Sequence, residues 1–439
     1  PMKGEPWLSL STKKRGGSQW CLKNVDRPES QLLGLVPGMD GSDAGVFEPP
    51  SRGAETNVRD EEPEGAIRIA VGVLAIALIV SPAILVQHLL SSDAQDWQVA
   101  VVKVGPFSHS SRVVLAPMAG VTDRPFRDLC RGLGVYWAIG EMLTSNLKLW
   151  SSSKSTKRRV QNDEVGPRWV QIAGAVPAQM AEAAHACQQD GAEIIDINLG
   201  CPAKKVCNRA AGSALMKDEA LVEQILSAVV SAVSIPVSLK MRLGWSLDHQ
   251  NAVTIAQMAE SLGVSLVTVH GRSRACRFGG PVHYDRILAV REAVRIPLLA
   301  NGDIRSVEDA RKVIEVTGAD GVMIGRAAQG QPWLPGLIDR ALAGSDDIDP
   351  PSWIEQLRLI RDHVHKLQCF YGDMQGVRIA RKHVGWFLDA AQAYTSDHAK
   401  VNLFAQKKQR FNRLESADDQ IHFFDELKTS DWLRALRVA

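Results

Sequence analysis

The sequence predicts a parallel (β/α)8, or TIM, barrel followed by a small all-helical C-terminal unit. Three observations carry that expectation. Eight short apolar runs recur between Val113 and Arg326, starting 23 to 42 residues apart. Amphipathic stretches with helical spacing fill the intervals, as crossovers between parallel strands require. After Asp349-Pro350-Pro351 the strand rhythm stops and helical periodicity continues towards the C-terminus. With 439 residues, 45% hydrophobic and 23% charged, the chain has the apolar material for a large core, which excludes collagen-like, coiled-coil and globally disordered classes.

Residues 1–100 precede the rhythm and differ in texture. A basic stretch (Lys13, Lys14, Arg15, Lys23, Arg27) passes into a Pro/Gly/acidic segment ending DEEPEG at Asp60 to Gly65, a composition that cannot bury a core and is expected to be disordered. Ile69 to Val86 then runs eighteen residues without a charge, the short end of a membrane span, with Pro82 as a kink. It lies too far from the N-terminus for an ordinary signal peptide. Only Arg68 flanks it against Asp60, Glu61, Glu62 and Glu64, so no orientation is readable. Three readings stand side by side: a membrane anchor, an amphiphilic helix folded onto the main domain, and a non-native leader. The start at Pro1 in place of Met favours the last.

The strand runs, in order, are VVLAPM (Val113 to Met118), YWAIGEM (Tyr136 to Met142), RWVQIAG (Arg168 to Gly174), IIDINLG (Ile194 to Gly200), PVSLKMRL (Pro236 to Leu243), LVTVHGR (Leu266 to Arg272), PLLANGD (Pro297 to Asp303) and GVMIGR (Gly321 to Arg326). Between them, AQMAEAAHACQQDGA and NAVTIAQMAESLGV place apolar residues at i, i+3 and i+4 with Gly near the end, the pattern of a capped helix. Polar residues gather at the C-terminal strand ends: Met118, Glu141, Gln171, Asn198, Lys240, His270, Asn301, Asp303 and Arg326. One such residue marks only where a strand meets water. Recurrence in nearly every unit marks the active-site face of a barrel. The barrel is expected over 101–345.

Residues 351–439 form the helical unit, with 14 Lys and Arg against 11 Asp and Glu. Arg378, Arg381 and Lys382 fall at i, i+3 and i+4, one helix face that suits either phosphate or solvent. The overall charge of +2 excludes a histone-like polycation and permits such a local patch. Seven cysteines without a CxxC pair or Cys/His spacing indicate neither a disulfide framework nor a zinc site, and point to a reducing, cytoplasmic location.

Eight motifs in register now carry a specific resemblance: APMAGVTDRPFR, QIAG, DINLGCPAKKV, AGSALM, LKMRLGW, VHGRSR, ANGDI and MIGRAAQGQPW. From about Val101 to the C-terminus the chain resembles the tRNA-dihydrouridine synthase family, nearest its bacterial B-type branch. The resemblance implies FMN, reduced by NADPH or NADH, that reduces the C5=C6 bond of particular uridines in tRNA. Hydride to C6 and a proton to C5 are needed. Cys201 matches the family's proton donor, and a thiol of ordinary pKa, roughly 8.5, is still protonated near neutrality. Lys240 matches the lysine beside the flavin ring; a lysine in an apolar strand needs an anionic partner. Gln171 is suited to the ring's polar edge, His270 matches a further position near the flavin, and Pro117, Met118 and Ala119 match the segment under the ring. Barrels commonly bind phosphate after strands seven and eight, which here means Asn301, Gly302, Asp303, Gly325 and Arg326. Asn198 matches a uracil contact. Arg272 and Arg274 are expected to meet RNA phosphate, RIARKH with Arg378, Arg381 and Lys382 resembles the tRNA-binding helical domain, and Lys204, Lys205 and Lys157-Arg158-Arg159 are candidates for a basic rim. Cys130, Cys187 and Cys207 are read as packing residues. An FMN oxidoreductase of a free pyrimidine and a catalytically inactive RNA-binding barrel remain as alternatives.

Overall fold

A computed structural model of the chain describes residues 101–159, 163–203, 211–393 and 398–429. The leader with its apolar run, and Lys204, Lys205 and Cys207, lie outside the described residues. The first described element is a hairpin of β1 (Val102–Val104) and β2 (Phe107–His109). Its turn needs glycine: Gly105 has φ +58°, and a Cβ there would lie 2.7 Å from the Pro236 ring. Val102 and Val104 pack with Trp137 and Trp169, so the hairpin adds its apolar face to one of the barrel's buried clusters.

The barrel strands follow in chain order: β3 (Val113–Leu115), β4 (Trp137–Ala138), β5 (Leu143–Thr144), β6 (Trp169–Ala173), β7 (Ile194–Leu199), β8 (Val237–Arg242), β9 (Leu266–His270), β10 (Leu298–Asn301) and β11 (Gly321–Ile324). Each pairs in parallel with its neighbour, and β11 returns to β3. The run Tyr136 to Met142, expected as one strand, is paired only over β4 and Ile139, and β5 begins just after it. Ile139 alone bridges Trp169, and Gly140 N donates to the Trp169 carbonyl at 3.0 Å, which joins the two ends of the ladder into a ring. The break has a local cause. Glu141 is buried and leaves the ladder to accept from Gly120 N and, at 2.8 Å, from Arg158 Nη2.

Eight crossover and flanking helices accompany the strands: α1 (Arg124–Gly132), α2 (Ser153–Arg159), α3 (Pro177–Gln189), α4 (Glu219–Ala232), α5 (Ala252–Ser261), α6 (Tyr284–Ala293), α7 (Val307–Thr317) and α8 (Leu334–Leu342). Three of their starts carry side-chain caps of the preferred residue types. Asp123 accepts from Phe126 N, Asp218 from Leu221 N, and Ser306 from Asp309 N, while Gly318 closes α7 in the left-handed conformation. Ile195, Ile197, Leu239, Met241, Val267 and Val269 belong to the main core with apolar faces of the helices.

Four helices complete the described chain: α9 (Trp353–Tyr371), α10 (Asp373–Gln392), α11 (His398–Arg413) and α12 (Ala417–Thr429). They share a core that includes Leu357, Phe387, Phe404, Phe411, Phe423 and Phe424. Burying each Phe side chain contributes roughly 1.5–3 kcal/mol. α9 packs against α1, so this helical region rests on the loop and helix that follow β3. Among the described residues, no helix is long and apolar enough to cross a membrane, and no cluster of three or more His, Cys, Asp or Glu could hold a metal ion.

Candidate active site

The C-terminal strand ends enclose a cavity of about 1010 Å³. Pro117, Met118 and Ala119 after β3, Gln171 on β6, Lys240 on β8 and His270 on β9 line it. So do Asn301, Gly302 and Asp303 after β10 and Gly325 and Arg326 after β11. Asn198 at the end of β7 and Cys201 just beyond it face the same space.

A chain of hydrogen bonds across β6, β7 and β8 sets the direction of these side chains. Gln171 and Asp196 are register partners, as are Asn198 and Lys240. Trp169 Nε1 donates to Ser238 Oγ at 3.0 Å, and Ser238 Oγ donates to Asp196 Oδ1 at 2.7 Å. Gln171 Nε2 donates to Asp196 Oδ2 at 2.6 Å, and Asn198 Nδ2 donates to Gln171 Oε1 at 2.7 Å. Asn198 Oδ1 accepts the backbone N–H of Gly200 at 3.1 Å and of Cys201 at 3.0 Å. The orientation of both amides follows from the acceptor-only carboxylate at the start of the chain; Gln171 Nε2 keeps a second proton, whereas Asn198 Nδ2 also donates weakly to Met142 Sδ at 3.9 Å. Burial pushes the Asp196 carboxyl up to about 6, with Ser238 and Gln171 acting against it.

The wall from β8 to β11 is cationic. Lys240 Nζ donates to Asn301 Oδ1 at 3.0 Å, and Asn301 Nδ2 donates to the Met323 carbonyl at 2.7 Å. Burial, and secondarily Arg242, pulls the Lys240 amine down to about 8. Burial holds the His270 imidazole neutral, assisted by Lys240 and Arg242. Asp303, at φ +46°, pairs with Arg272 and with Arg326 at 2.6 Å, and the Arg272 hydrogen bond chiefly holds it below the usual carboxylate range. Gly302 has φ +139°, and a Cβ there would lie 2.8 Å from Val282 Cγ1, so only glycine lets the backbone turn at this wall.

Lys240, Arg242, Arg277, Arg305 and Arg326 line the cavity against Asp303, the one carboxylate among the described lining residues. Such a wall balances a phosphorylated, ring-bearing anion, and the residues present fit a flavin mononucleotide: cations for the phosphate and the ring's polar edge, amides beside them, and the Pro117–Ala119 backbone as a floor.

Other expected residues lie elsewhere. Arg272 is 2% exposed and donates to the Gly280 carbonyl and Asp303, so it braces the loop after β9 and is not part of a rim that could meet RNA. Lys157 lies over the Phe370 and Tyr371 rings, Arg158 pairs with Glu141, and Arg159 pairs with Asp190, so this basic run is engaged within the fold. Arg378 and Lys382 are exposed on α10, and Lys382 Nζ donates to the Gly120 carbonyl at 3.0 Å. Arg381 departs from that stripe, donating to the Leu414 carbonyl at 2.7 Å.

Sequence reasoning passed over Arg242. Its Nε donates to the Gly200 carbonyl at 2.8 Å and its Nη1 to the Ser273 and Arg277 carbonyls at 2.9 and 2.6 Å, which ties the Cys201 loop to the loop after β9. Burial lowers its guanidinium to about 10. The signal was present: Arg242 is the second cation in the strand that holds Lys240, and the same buried-charge argument applies to it. Phe278, 53% exposed at the cavity and 5.0 Å from the Arg326 guanidinium, had no comparable signal.

A parallel barrel whose strand ends gather a thiol, oriented amides and a cationic wall fitted to a flavin defines a barrel oxidoreductase. The comparison with known proteins is more specific. The chain belongs to the dihydrouridine synthase family, whose model, described as "Dihydrouridine synthase (Dus)", matches residues 114–425. It is 51% identical over 321 residues to tRNA-dihydrouridine synthase B of Pseudomonas aeruginosa, an alignment that covers 73% of this chain and 94% of that protein. To the protein of the same name from Yersinia pestis it is 48% identical over 320 residues, covering 73% and 97%. The family is flavin-dependent.

Proposed function

We propose that this protein is a tRNA-dihydrouridine synthase that reduces the C5=C6 bond of uridines in tRNA, with FMN as its cofactor and NADPH or NADH as reductant. The observation that carries the reading is the placement of Cys201: its backbone is held by Asn198 at the edge of a cationic cavity sized and charged for FMN. When bound, FMN supplies a hydride to C6 of the uracil.

The chain's own residues do the rest. The Cys201 thiol gives its proton to C5, completing the two-electron, two-proton addition. Asn198 Oδ1 fixes the Gly200 and Cys201 amides, and the second Asn198 amide proton exchanges its weak contact with Met142 Sδ for a uracil carbonyl. Lys240 places positive charge at the polar edge of the ring site, Gln171 donates beside it, and His270, neutral, closes the β9 side. Asn301, Gly302, Asp303, Gly325 and Arg326 surround the phosphate position. A uridine in folded tRNA must leave its stack to reach this depth, and exposed Arg378 and Lys382 on α10 supply phosphate contacts beside the loop that follows β3. In this reading 101–345 is the catalytic barrel and 351–439 the tRNA-binding unit, working in the cytoplasm. A free pyrimidine would need no such stripe.

The test is nucleoside analysis of tRNA from cells lacking the protein. Dihydrouridine is expected to disappear from at least one tRNA position and to return with the gene; an unchanged content and position map overturns the reading.

A further inference from the structure

A group on the loops that follow β7, β8 and β9, outside the cavity lining, takes no part in the proposed reduction. Lys217, at the end of the short turn Gly212–Lys217, places Nζ 3.9 Å from the centre of the Trp245 ring. The guanidinium carbon of Arg274 lies 4.2 Å from the same ring. Lys217 is exposed, and Trp245 and Arg274 are half-buried. The backbone holds the arrangement in advance. Arg274 N donates to the Gly244 carbonyl at 2.9 Å and Ala275 N to the Trp245 carbonyl at 3.0 Å. Gly244 permits this loop to close, since a Cβ there would overlap the His249 carbonyl.

Two cations sharing one indole repel each other, and each cation–π contact returns only about 0.5–2 kcal/mol. Among the described residues neither Lys217 nor Arg274 forms an ion pair with a carboxylate. Arg274 Nε is buried without a hydrogen-bond partner. The group therefore carries positive charge that the protein alone does not balance, on a rigid aromatic support.

Its position in the ring is informative. Trp245 follows β8, and Gly120, which accepts from Lys382 of α10, follows β3. Counting β4 and β5 as one interrupted strand, β3 and β8 stand four places apart in a ring of eight, so they face each other across the mouth. One basic edge lies with the helical region and the other opposite it. A small ligand would need neither pair, whereas a folded RNA is a rigid polyanion wide enough to meet both.

We propose that Lys217, Trp245 and Arg274 form a second grip on the phosphate backbone of the substrate tRNA, across the cavity from α10. The proposal rests on the functional reading above and adds a surface to it. A hold on both sides of the mouth fixes the direction from which the uridine enters, which a single basic helix does not.

The test uses the full-length, FMN-loaded protein and an unmodified tRNA transcript, with binding followed by anisotropy over a salt series. The double variant Lys217→Ala with Arg274→Ala is expected to flatten the slope of log affinity against log salt by about 1 to 2, the loss of two phosphate contacts. The kinetic loss is expected in KM for tRNA, about tenfold, and not in kcat. Lys217→Arg, which keeps the charge, is expected to retain the parent slope. An unchanged slope and KM in the double variant, with a parent that reduces tRNA, overturns the surface assignment alone. A parent that neither binds tRNA nor forms dihydrouridine overturns the functional reading together with it.

Discussion

The Tyr371 hydroxyl, on the last residue of α9, donates to Asp123 Oδ2 at 2.8 Å, while Asp123 Oδ1 caps α1 by accepting from Phe126 N. One buried carboxylate thus joins the helical region to the barrel helix that follows the Pro117–Ala119 segment. Burial raises Asp123 to about 6, and the Tyr371 and Phe126 hydrogen bonds oppose that rise.

The pH dependence follows from the direction of this shift. A folded carboxyl that keeps its proton to about 6, where an unfolded aspartate loses it near 3.9, contributes stability in full below about pH 4 that is lost as pH rises through 6. Tyr371→Phe removes a donor to the ionised form and raises the folded pKa further. Its cost is expected to be about 1 kcal/mol at about pH 5 and about 2 kcal/mol at about pH 8, read from denaturant midpoints. Equal losses at both pH values would separate Tyr371 from the Asp123 titration.

Cys201→Ala is expected to lower turnover on tRNA by about 10²–10⁴, the range for loss of a positioned proton donor. The variant should still bind flavin and allow its reduction by the nicotinamide cofactor, as seen by bleaching of the flavin absorbance. Loss of the flavin itself would show that Cys201 holds the cofactor.

Lys240→Met tests the cationic wall. Because burial lowers Lys240 to about 8, flavin affinity of the parent should be full below that pH and fall above it as the amine deprotonates. The variant should bind about tenfold more weakly near neutrality, the loss of a charge-assisted contact, and its affinity should no longer change through this range. Quenching of flavin fluorescence reads both quantities. A pH-dependent fall that survives in Lys240→Met would assign it to another group.

Gly302→Ala forces a Cβ into the space beside Val282 at φ +139°. Backbone strain of this kind costs about 1–3 kcal/mol. The expected result is purified protein with a reduced flavin-to-protein ratio and a lowered melting point. A variant with the parent's flavin content would show that the β10 loop relaxes without disturbing the site.

Much of this molecule was legible from its residues. The eight apolar runs became the barrel because β-branched periodicity and Gly/Pro punctuation report backbone preference locally. The polar strand ends at the cavity, such as Gln171, Asn198, Lys240 and His270, were legible from the same pattern, whereas Cys201 and the Pro117–Ala119 segment were legible only through the family resemblance. Relations between distant segments were not. Nothing near Arg272 announces that Asp303 and Gly280 will take its guanidinium, so it was expected at the surface and lies inside. Glu141 reads as a polar strand end on the active-site face, but it does not line the cavity: Arg158 and Gly120 N are brought to it, and that meeting is what breaks the second strand. The β1–β2 hairpin was missed because its three-residue strands show no sustained alternation; the apolar partners of Val102 and Val104 are Trp137 and Trp169, far along the chain.

The interrupted second strand also gives the barrel a built-in order of disassembly. The interrupted strand meets β6 in two separate places, the single bridge between Ile139 and Trp169, backed by the Trp137–Trp169 ring contact at 5.8 Å, and the two-residue pairing of β5, whereas the other junctions are continuous ladders. A closed cylinder with one such gapped join parts first along that line, so the amide proton of Gly140, which donates to the Trp169 carbonyl across it, should exchange with solvent before those of β7 to β9. The part of the barrel nearest Glu141 is therefore its least protected, and the strands that carry Asn198, Lys240 and His270 are the last to be exposed.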